Sequence, residues 1–383
     1  MAMAGIGEIF KAENGRWSFR VKASNGTVVA IDDGPGYTAK PQARAILQKL
    51  LRGDYNGPIR EPSAVKCGQE ITANTTLDSD LRCDGDGPAL IVTADNVVLD
   101  LGGFTVSGPD EPASDIPGIL LRNVKGVTVR KGTVKGFSAG VAIAGGANNV
   151  IENVTTEDNV GTTEGNFGDG ITLNASSGNV IRGNVVRRNG PFSGISLVGA
   201  CADNEIRDNR ITDNNMLPGD PSRGRQDMGI RLEGPAANNN KILGNTITGS
   251  GAEGICILPT CTDPQAGCAG TPGNEGNEVS ENMCHNNGTS GQGSGIRLFA
   301  VPQPVAASKT TITENVTNDN RTFGIAIDAV GAANPGPPNN KVTKNSGKGN
   351  GQFDGYDGNT PGCGSNTWKG NEFGTVNQPC VGA

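Results

Sequence analysis

Two arginines and one glutamate occupy matching places in a repeated segment of the chain. Arg231 and Glu233 stand two and four residues after Gly229, and Arg297 stands two residues after Gly295. An arginine pairs with the carboxylate of a uronic acid through two hydrogen bonds, which lowers the cost of removing the proton beside that carboxylate. We therefore interpret Arg231, Arg297 and Glu233 as candidate catalytic residues for β-elimination on a uronic-acid polysaccharide.

A glycine followed by an aliphatic residue recurs through most of the chain and organises these positions. The intervals between the glycines are unequal, which is expected of short strands joined by loops of variable length and not of helical repeats. Apolar residues alternate within each repeat, as in Ile230 and Leu232, so one face of each strand is buried. The repeat therefore predicts a β-solenoid. Its glycines are Gly118, Gly140, Gly170, Gly194, Gly229, Gly254, Gly295 and Gly324.

Alternation along each strand assigns its side chains to a face. Counted from the glycine, positions one and three point inward, and positions two and four point outward. The outward positions should expose Arg231, Glu233 and Arg297 on the floor of a groove. The long insertions near these strands would form its walls, since a solenoid needs only short turns. On this floor we expect three substrate-binding residues, which are Asn174, Ser196 and Asp328.

Carboxylates precede the glycine in three repeats, at Asp169, Asp227 and Glu253. Strict alternation would turn the residue before the glycine inward. An unpaired charge in the core is prohibitively costly, so we expect the chain to bend at the glycine and to turn these carboxylates outward.

A column of asparagines recurs on a different part of the repeat. Stacked on coils about 4.8 Å apart, their amides would bond the coils above and below, forming a structural ladder at a turn. Its members are Asn153, Asn184, Asn209, Asn245, Asn282, Asn315, Asn345 and Asn371.

The Gly-Ile-x-Leu segment, followed by Asn-x-Ile-x-x-Asn, resembles the right-handed parallel β-helix repeat of the pectate-lyase-like superfamily. That superfamily includes polysaccharide lyases, uronate epimerases and some glycoside hydrolases. The resemblance runs from Cys67 to the C-terminus and implies an all-β solenoid of about 10–11 coils that binds an acidic polysaccharide. Related pectate lyases hold calcium with acidic side chains, so it also implies Ca²⁺ as a candidate cofactor, with Asp169, Asp227 and Glu253 as candidate metal ligands.

The sequence departs from the catalytic signatures of this superfamily. Alginate epimerases and lyases use a tyrosine with a histidine, but we expect Tyr37, Tyr55 and Tyr356 to be remote from the central coils and His285 to lie away from the groove. Polygalacturonases need an Asp-Asp motif on the strand floor with a nearby Gly-His-Gly, and no such segment is present. Two alternatives to a lyase therefore stay open. The first is a non-catalytic polysaccharide-binding or structural rod, in which Arg231 and Arg297 form surface salt bridges. The second is a glycoside hydrolase or a uronate epimerase.

Residues 1–57 do not follow the repeat. Trp17, Phe19 and Val21 alternate with polar residues as in an amphipathic strand, and a helix is expected from Thr38, a candidate N-cap, to Gly53. The segments Glu8-Ile9-Phe10-Lys11 and Arg16-Trp17-Ser18-Phe19-Arg20 resemble the small YegP-like domain, which implies no chemistry. We expect a βββα domain at 1–57, a linker at 58–66 and the β-helix at 67–383.

Charge and cysteine usage limit the partners and the compartment. A net charge of −7 and a pI near 5.0 argue against nucleic acid, and no apolar run is long enough to span a membrane. No signal peptide is visible at the N-terminus. The nine cysteines nevertheless suggest disulfides at Cys67–Cys83, Cys261–Cys268 and Cys363–Cys380, with Cys284 in the core. We therefore expect an extracellular or cell-surface protein.

Overall fold

The computed structural model describes residues 6–12, 15–22, 27–32, 36–52, 65–109, 116–161, 168–215, 227–259, 273–300, 306–328 and 336–382. The chain divides into two compact units, Met1–Ser63 and Ala64–Ala383. The described residues contain no helix that is both long and apolar enough to cross a bilayer. Strands are numbered β1 to β36 in chain order.

The first unit is a three-stranded antiparallel sheet with one helix. Phe19, Ala43 and Leu47 are buried between the sheet and the helix. The prediction that Thr38 caps this helix is wrong, because the helix begins one residue later than that role requires. Ala39 is the N-cap residue, and its amide donates a hydrogen bond of 3.3 Å to the Gln42 side chain. The elements are β1 (Ile6–Lys11), β2 (Trp17–Lys22), β3 (Val28–Ile31) and α1 (Lys40–Arg52).

The second unit is an all-β parallel helix, as the sequence predicts. The strands at or just after the repeated glycine, with two strands that precede the first repeat, form an eleven-stranded parallel sheet, which we call the glycine sheet. Its strands are β4 (Gln69–Ile71), β7 (Leu90–Val92), β10 (Pro117–Arg122), β12 (Ala139–Ala144), β14 (Asp169–Asn174), β17 (Ser193–Val198), β20 (Met228–Glu233), β23 (Ile255–Leu258), β27 (Ile296–Phe299), β31 (Phe323–Asp328) and β34 (Phe353–Asp357).

Two further rows of short parallel strands close each coil. The row after the glycine sheet contains β5 (Thr75–Thr76), β8 (Val98–Asp100), β15 (Val180–Arg182), β18 (Glu205–Arg207), β21 (Lys241–Leu243), β25 (Glu278–Ser280), β29 (Thr311–Thr313), β32 (Lys341–Thr343) and β35 (Thr367–Lys369). The third row contains β6 (Leu81–Arg82), β9 (Thr105–Ser107), β16 (Val185–Arg187), β19 (Arg210–Thr212), β22 (Thr246–Thr248), β26 (Met283–His285), β30 (Val316–Asn318), β33 (Ser346–Lys348) and β36 (Glu372–Phe373). The longer strands β11 (Thr128–Lys135) and β13 (Val150–Glu157) span both rows, and β24 (Asn274–Glu275) pairs with β28 (Ala307–Ser308).

The core is a stack of identical or similar aliphatic side chains. Ile171, Ile195, Ile230 and Ile255 follow one another in register on successive coils, and each is completely buried. Burial of one such side chain contributes about 1.5–3 kcal/mol to folding. The repeated inward position therefore accounts for the regularity of the coil.

Asparagine ladders join the coils, as the sequence predicts. The Asn184 amide donates hydrogen bonds to Asn209 (3.0 Å) and to the carbonyl of Ile151 (2.9 Å). The prediction is wrong by one residue at Asn153. The ladder position on that coil is Val154, whose backbone amide donates a hydrogen bond to Asn184, and Asn153 has a left-handed φ of 52°. Similar bonds continue the column through Asn245, Asn282, Asn315, Asn345 and Asn371.

Disulfides close both ends of the β-helix. Cys67–Cys83 and Cys363–Cys380 are bonded, as predicted, and Cys284 is a buried free thiol in the core. The predicted pair Cys261–Cys268 lies outside the described residues. Disulfides are typical of proteins that fold in oxidising compartments, which suggests an extracellular or periplasmic location.

Candidate functional site

The outward residues at position two form one continuous stripe across the glycine sheet. Arg231 pairs in register with Cys256, and Cys256 pairs with Arg297. The two arginines therefore lie on the same face, two coils apart, which corresponds to roughly 10 Å along the helix axis. The full stripe is Glu70, Ile91, Leu120, Ala142, Thr172, Ser196, Arg231, Cys256, Arg297, Ala326 and Tyr356.

The chain bends at the repeated glycine, as the carboxylates before it require. A Cβ atom at Gly170 would lie 2.5 Å from a methyl carbon of the core residue Val186, so the glycine faces the interior. The next residue, Ile171, also faces inward. Asp169 therefore points outward, on the same side as position two.

Arg231 does not lie open on a groove floor. Its side chain is only 2% exposed, it forms an ion pair with Glu233, and its guanidinium lies 5.4 Å from the centre of the Phe192 ring. The prediction that Arg231 is exposed to substrate is therefore wrong. Ion pairing and an aromatic face offset the cost of burying the cation, which is why the guanidinium is tolerated there.

Asp169 lies beside this arginine and is also buried. Burial raises the pKa of Asp169 to about 7, although Arg231 and a hydrogen bond from Ser196 act in the opposite direction. The Oδ1 atom of Asp169 has no hydrogen-bond partner among the described residues. Ser196 is buried and its hydroxyl lies 2.9 Å from that of Thr172. We call Asp169, Ser196, Arg231 and Glu233 the inner cluster, a polar network of which Glu233 alone is partly exposed.

Arg297 lies at the edge of a second, more accessible group. Its side chain is 20% exposed and forms ion pairs with Glu253 (2.9 Å) and with Asp328. The guanidinium carbon also lies 4.2 Å from the centre of the Phe299 ring. The structure therefore brings together three predicted site residues, Arg297, Glu253 and Asp328.

Tyr356 joins this group, although the sequence placed it far from the central coils. That prediction is wrong, because Arg297, Ala326 and Tyr356 are aligned on successive strands. The Tyr356 ring stacks on Phe323 at a centroid distance of 4.4 Å and lies 6.3 Å from Phe353.

The three rings are half-buried, and they lie next to the charges of the Arg297 group. Burial raises the pKa of Tyr356, the Asp328 carboxylate adds to this shift, and Arg297 opposes it. We call Arg297, Asp328, Tyr356, Phe323 and Phe353 the open cluster.

Three predicted residues belong to neither cluster, and one of them, Glu253, is the buried ion-pair partner of Arg297. Asn174 is exposed and pairs in register with Val198. Asp227 is buried next to Gly251 and Ser290, and burial alone raises its pKa to about 7.

The three candidate calcium ligands do not form one site. Asp169 and Glu253 occupy the same row three coils apart, which corresponds to roughly 14 Å. Asp227 precedes that row by one residue. No group of three or more His, Cys, Asp or Glu side chains that could hold a metal occurs in the part of the chain that the structure describes. These residues therefore do not fit a calcium ion.

Comparison with known proteins supports the fold. Among curated proteins, none matches this chain in sequence. A mutant of the periplasmic alginate epimerase AlgG has 14% identity and a TM-score of 0.51, covering 81% of this chain and 76% of that one. The unmutated AlgG has 13% identity with the same TM-score and coverage. The family model for the right handed beta helix region matches residues 113–268 and 225–372. It does not include the first unit, so the YegP-like assignment stays a prediction. The matched residues make up more than half of the sequence, and the chain therefore belongs to the right-handed beta helix family.

Proposed function

We propose that this protein is a carbohydrate-active β-helix that binds a polysaccharide on the outer face of the glycine sheet. The observation that carries this proposal is the open cluster, in which three stacked rings lie beside the Arg297–Asp328 ion pair. Aromatic faces pack against the apolar face of a sugar ring, and charged groups orient its polar substituents. The disulfides are compatible with a protein that meets its polysaccharide outside the cytoplasm.

The reaction we propose is β-elimination on a uronic-acid residue. The sequence offered Arg231 and Arg297 as partners for the uronate carboxylate, and we assign this role to Arg297. Arg297 is the more accessible of them, at 20% exposure against 2% for Arg231. A substrate carboxylate would take the place of Asp328 at this guanidinium. The proton beside that carboxylate would become more acidic as a result.

Asp328 and Tyr356 would then move the protons. The displaced Asp328 carboxylate accepts the proton from C5, a double bond forms between C4 and C5, and the C4–O bond breaks. The Tyr356 phenol donates its proton to the departing oxygen. Burial raises the pKa of Tyr356, so the phenol keeps its proton at neutral pH.

The inner cluster would act indirectly in this scheme. Arg231 is too enclosed to contact a polymer, and its partly exposed partner Glu233 is held in their ion pair. The pair therefore fixes the floor on which Arg297 lies. The substrates to test include a neutral polymer, because four carboxyl groups and two arginines lie in this floor. The groups are Asp169, Glu233, Glu253, Asp328, Arg231 and Arg297.

The experiment is an incubation with pectate, alginate, glycosaminoglycans and a neutral glucan, with calcium and with a chelator. Unsaturated uronates are followed by their ultraviolet absorbance. Tyr356→Phe should lower kcat by about 100-fold or more without weakening binding, because it removes the proton donor but keeps the ring. Arg297→Gln should lower kcat/KM, whereas Arg207→Gln, on another row, should leave turnover unchanged. An absence of product from every polymer would contradict the lyase assignment.

A second candidate is a non-catalytic polysaccharide-binding rod. The observation that favours it is that both arginines are already held in ion pairs. Binding of a polymer that depends on the aromatic rings, without any change in the polymer, would favour this function. The same incubations report on the remaining alternatives, since hydrolysis releases reducing ends and epimerisation changes the proton NMR spectrum without chain cleavage.

A further inference from the structure

A polar pocket of about 480 Å³ lies on the third strand row, away from the glycine sheet. Arg82, Ser107 and Lys135 stack in register on three successive coils and form one wall. Neighbouring coils are about 4.8 Å apart, so the Ser107 hydroxyl lies between two cationic side chains. Cys83, the residue after Arg82, forms a disulfide with Cys67, and this bond fixes this end of the β-helix.

Two glycines make the surface concave at this point. Gly136 occupies a left-handed turn position that the next two coils fill with Asp158 and Arg188. A Cβ atom at Gly108 would lie 2.1 Å from the carbonyl oxygen of Gly136. The two turns can approach this closely because both residues are glycines. The space that the Asp158 and Arg188 side chains fill on the next two coils is therefore open beside Gly136.

The carboxylates of the pocket are already engaged. Asp158 accepts hydrogen bonds of 2.7 and 2.8 Å from Arg188. Asp80 accepts a hydrogen bond of 2.8 Å from the Thr105 amide. Lys135 has no ion-pair partner within 4.0 Å among the described residues. Arg82 is itself paired with Asp84 at 3.0 Å, so Lys135 is the cation of this pocket that a ligand would meet.

We propose that this pocket binds the carboxylate of a uronate saccharide. The Lys135 ammonium and the Ser107 hydroxyl donate hydrogen bonds to the carboxylate oxygens. The saccharide part of this assignment rests on the proposed function. A second site on a rigid rod raises the effective concentration of a long polymer at the glycine sheet, so its effect grows with polymer length.

Saturation-transfer NMR and calorimetry on the full chain test this assignment, with galacturonate, galactose and inorganic sulfate as probes. Galacturonate should bind and galactose should not. Lys135→Gln should weaken galacturonate binding about tenfold, because a charge-assisted hydrogen bond is lost. Lys348→Gln is the matched control, since Lys348 stands in the same outward row on a distant coil. Its affinity should equal that of the parent.

Equal affinity of the parent and Lys135→Gln for galacturonate would overturn the site. Equal binding of galactose would overturn the role of the anion, and binding of sulfate without galacturonate would overturn the saccharide assignment. The loss caused by Lys135→Gln should persist in an Arg297→Gln background, in which binding of galacturonate at the open cluster is removed. A failure of the pocket is therefore distinguishable from a failure of the proposed reaction.

Discussion

Arg297 donates a hydrogen bond of 2.9 Å to Glu253, which lies one coil before it in the stack. The glutamate side chain is nearly closed to solvent, and the same guanidinium also contacts Asp328 on the following coil. One side chain thus ties three successive coils together outside the core. Removal of one partner leaves the others incompletely compensated.

We expect Glu253→Gln to lower the free energy of unfolding by about 1–3 kcal/mol, because Arg297 then keeps only its more exposed partner. Chemical denaturation at neutral pH measures this change. The control is Glu314→Gln, which removes the partner of Lys344 in an exposed pair and should cost less than about 0.5 kcal/mol. Equal losses for the two substitutions would contradict the prediction, because the buried ion pair would then contribute no more to stability than the exposed one.

The β-helix could be predicted because a repeated segment with alternating apolar residues is compatible with few folds other than stacked short strands. It also predicted that Arg231 and Arg297 share a stripe. Alternation assigns a side chain to a face but contains no information about what covers that face, so the burial of Arg231 was missed. Tyr356 was missed because Gly355 occupies the position at which other repeats have isoleucine, and the repeated Gly-Ile pattern is absent.

Asp227 should contribute to the pH dependence of stability, in the same direction as Asp169, whose pKa burial also raises to about 7. The folded pKa of Asp227 is raised to about 7 by burial, against an unfolded value near 3.9. The folded state therefore binds the proton more tightly, and the protein should lose stability as the pH rises from about 4 to 7. The contribution is on the order of 4 kcal/mol at most.

Asp227→Asn should remove part of this loss, because the amide is neutral at every pH. Thermal unfolding at pH 5 and pH 8 measures the effect, and the gain in Tm should be larger at pH 8. Asp203→Asn is the control, since Asp203 is exposed and its φ of 57° suits asparagine. A gain that is larger at pH 5 would contradict the assigned direction of the shift.

The stability of the C-terminal coil should depend on the buried carboxylate of Asp357. This group accepts hydrogen bonds from the Trp368 indole (2.8 Å) and from the amides of Asn366 (3.0 Å) and Asn359 (2.9 Å). The backbone amide of Asn359 also donates to this carboxylate, so Asp357→Ala leaves four donors without their acceptor and we expect a loss of about 3 kcal/mol or more. Trp368→Phe removes one donor and should cost less. Urea unfolding of both variants tests this order, and a smaller effect of Asp357→Ala would contradict it.

One ladder has a gap that can be filled. Ser250 stands between Asn214 and Asn287 in a column of asparagines. Its hydroxyl has no partner among the described residues, whereas Asn189 donates hydrogen bonds of 3.1 and 2.9 Å to the equivalent Asn214 side chain. An asparagine at position 250 would accept the same two bonds from Asn214.

We therefore expect Ser250→Asn to stabilise the β-helix by about 1–2 kcal/mol, at about 1 kcal/mol for each bond gained. The midpoint of urea unfolding should rise with an unchanged slope, because the surface exposed on unfolding stays the same. Thr310→Asn serves as the comparison, since Thr310 interrupts another ladder but its hydroxyl has a partner 3.5 Å away in the carbonyl of Ser308. Its gain should be smaller. A lower midpoint for Ser250→Asn would mean that the gap is required by the packing around Gly229, where the serine hydroxyl lies 3.1 Å from the position of a Cβ atom.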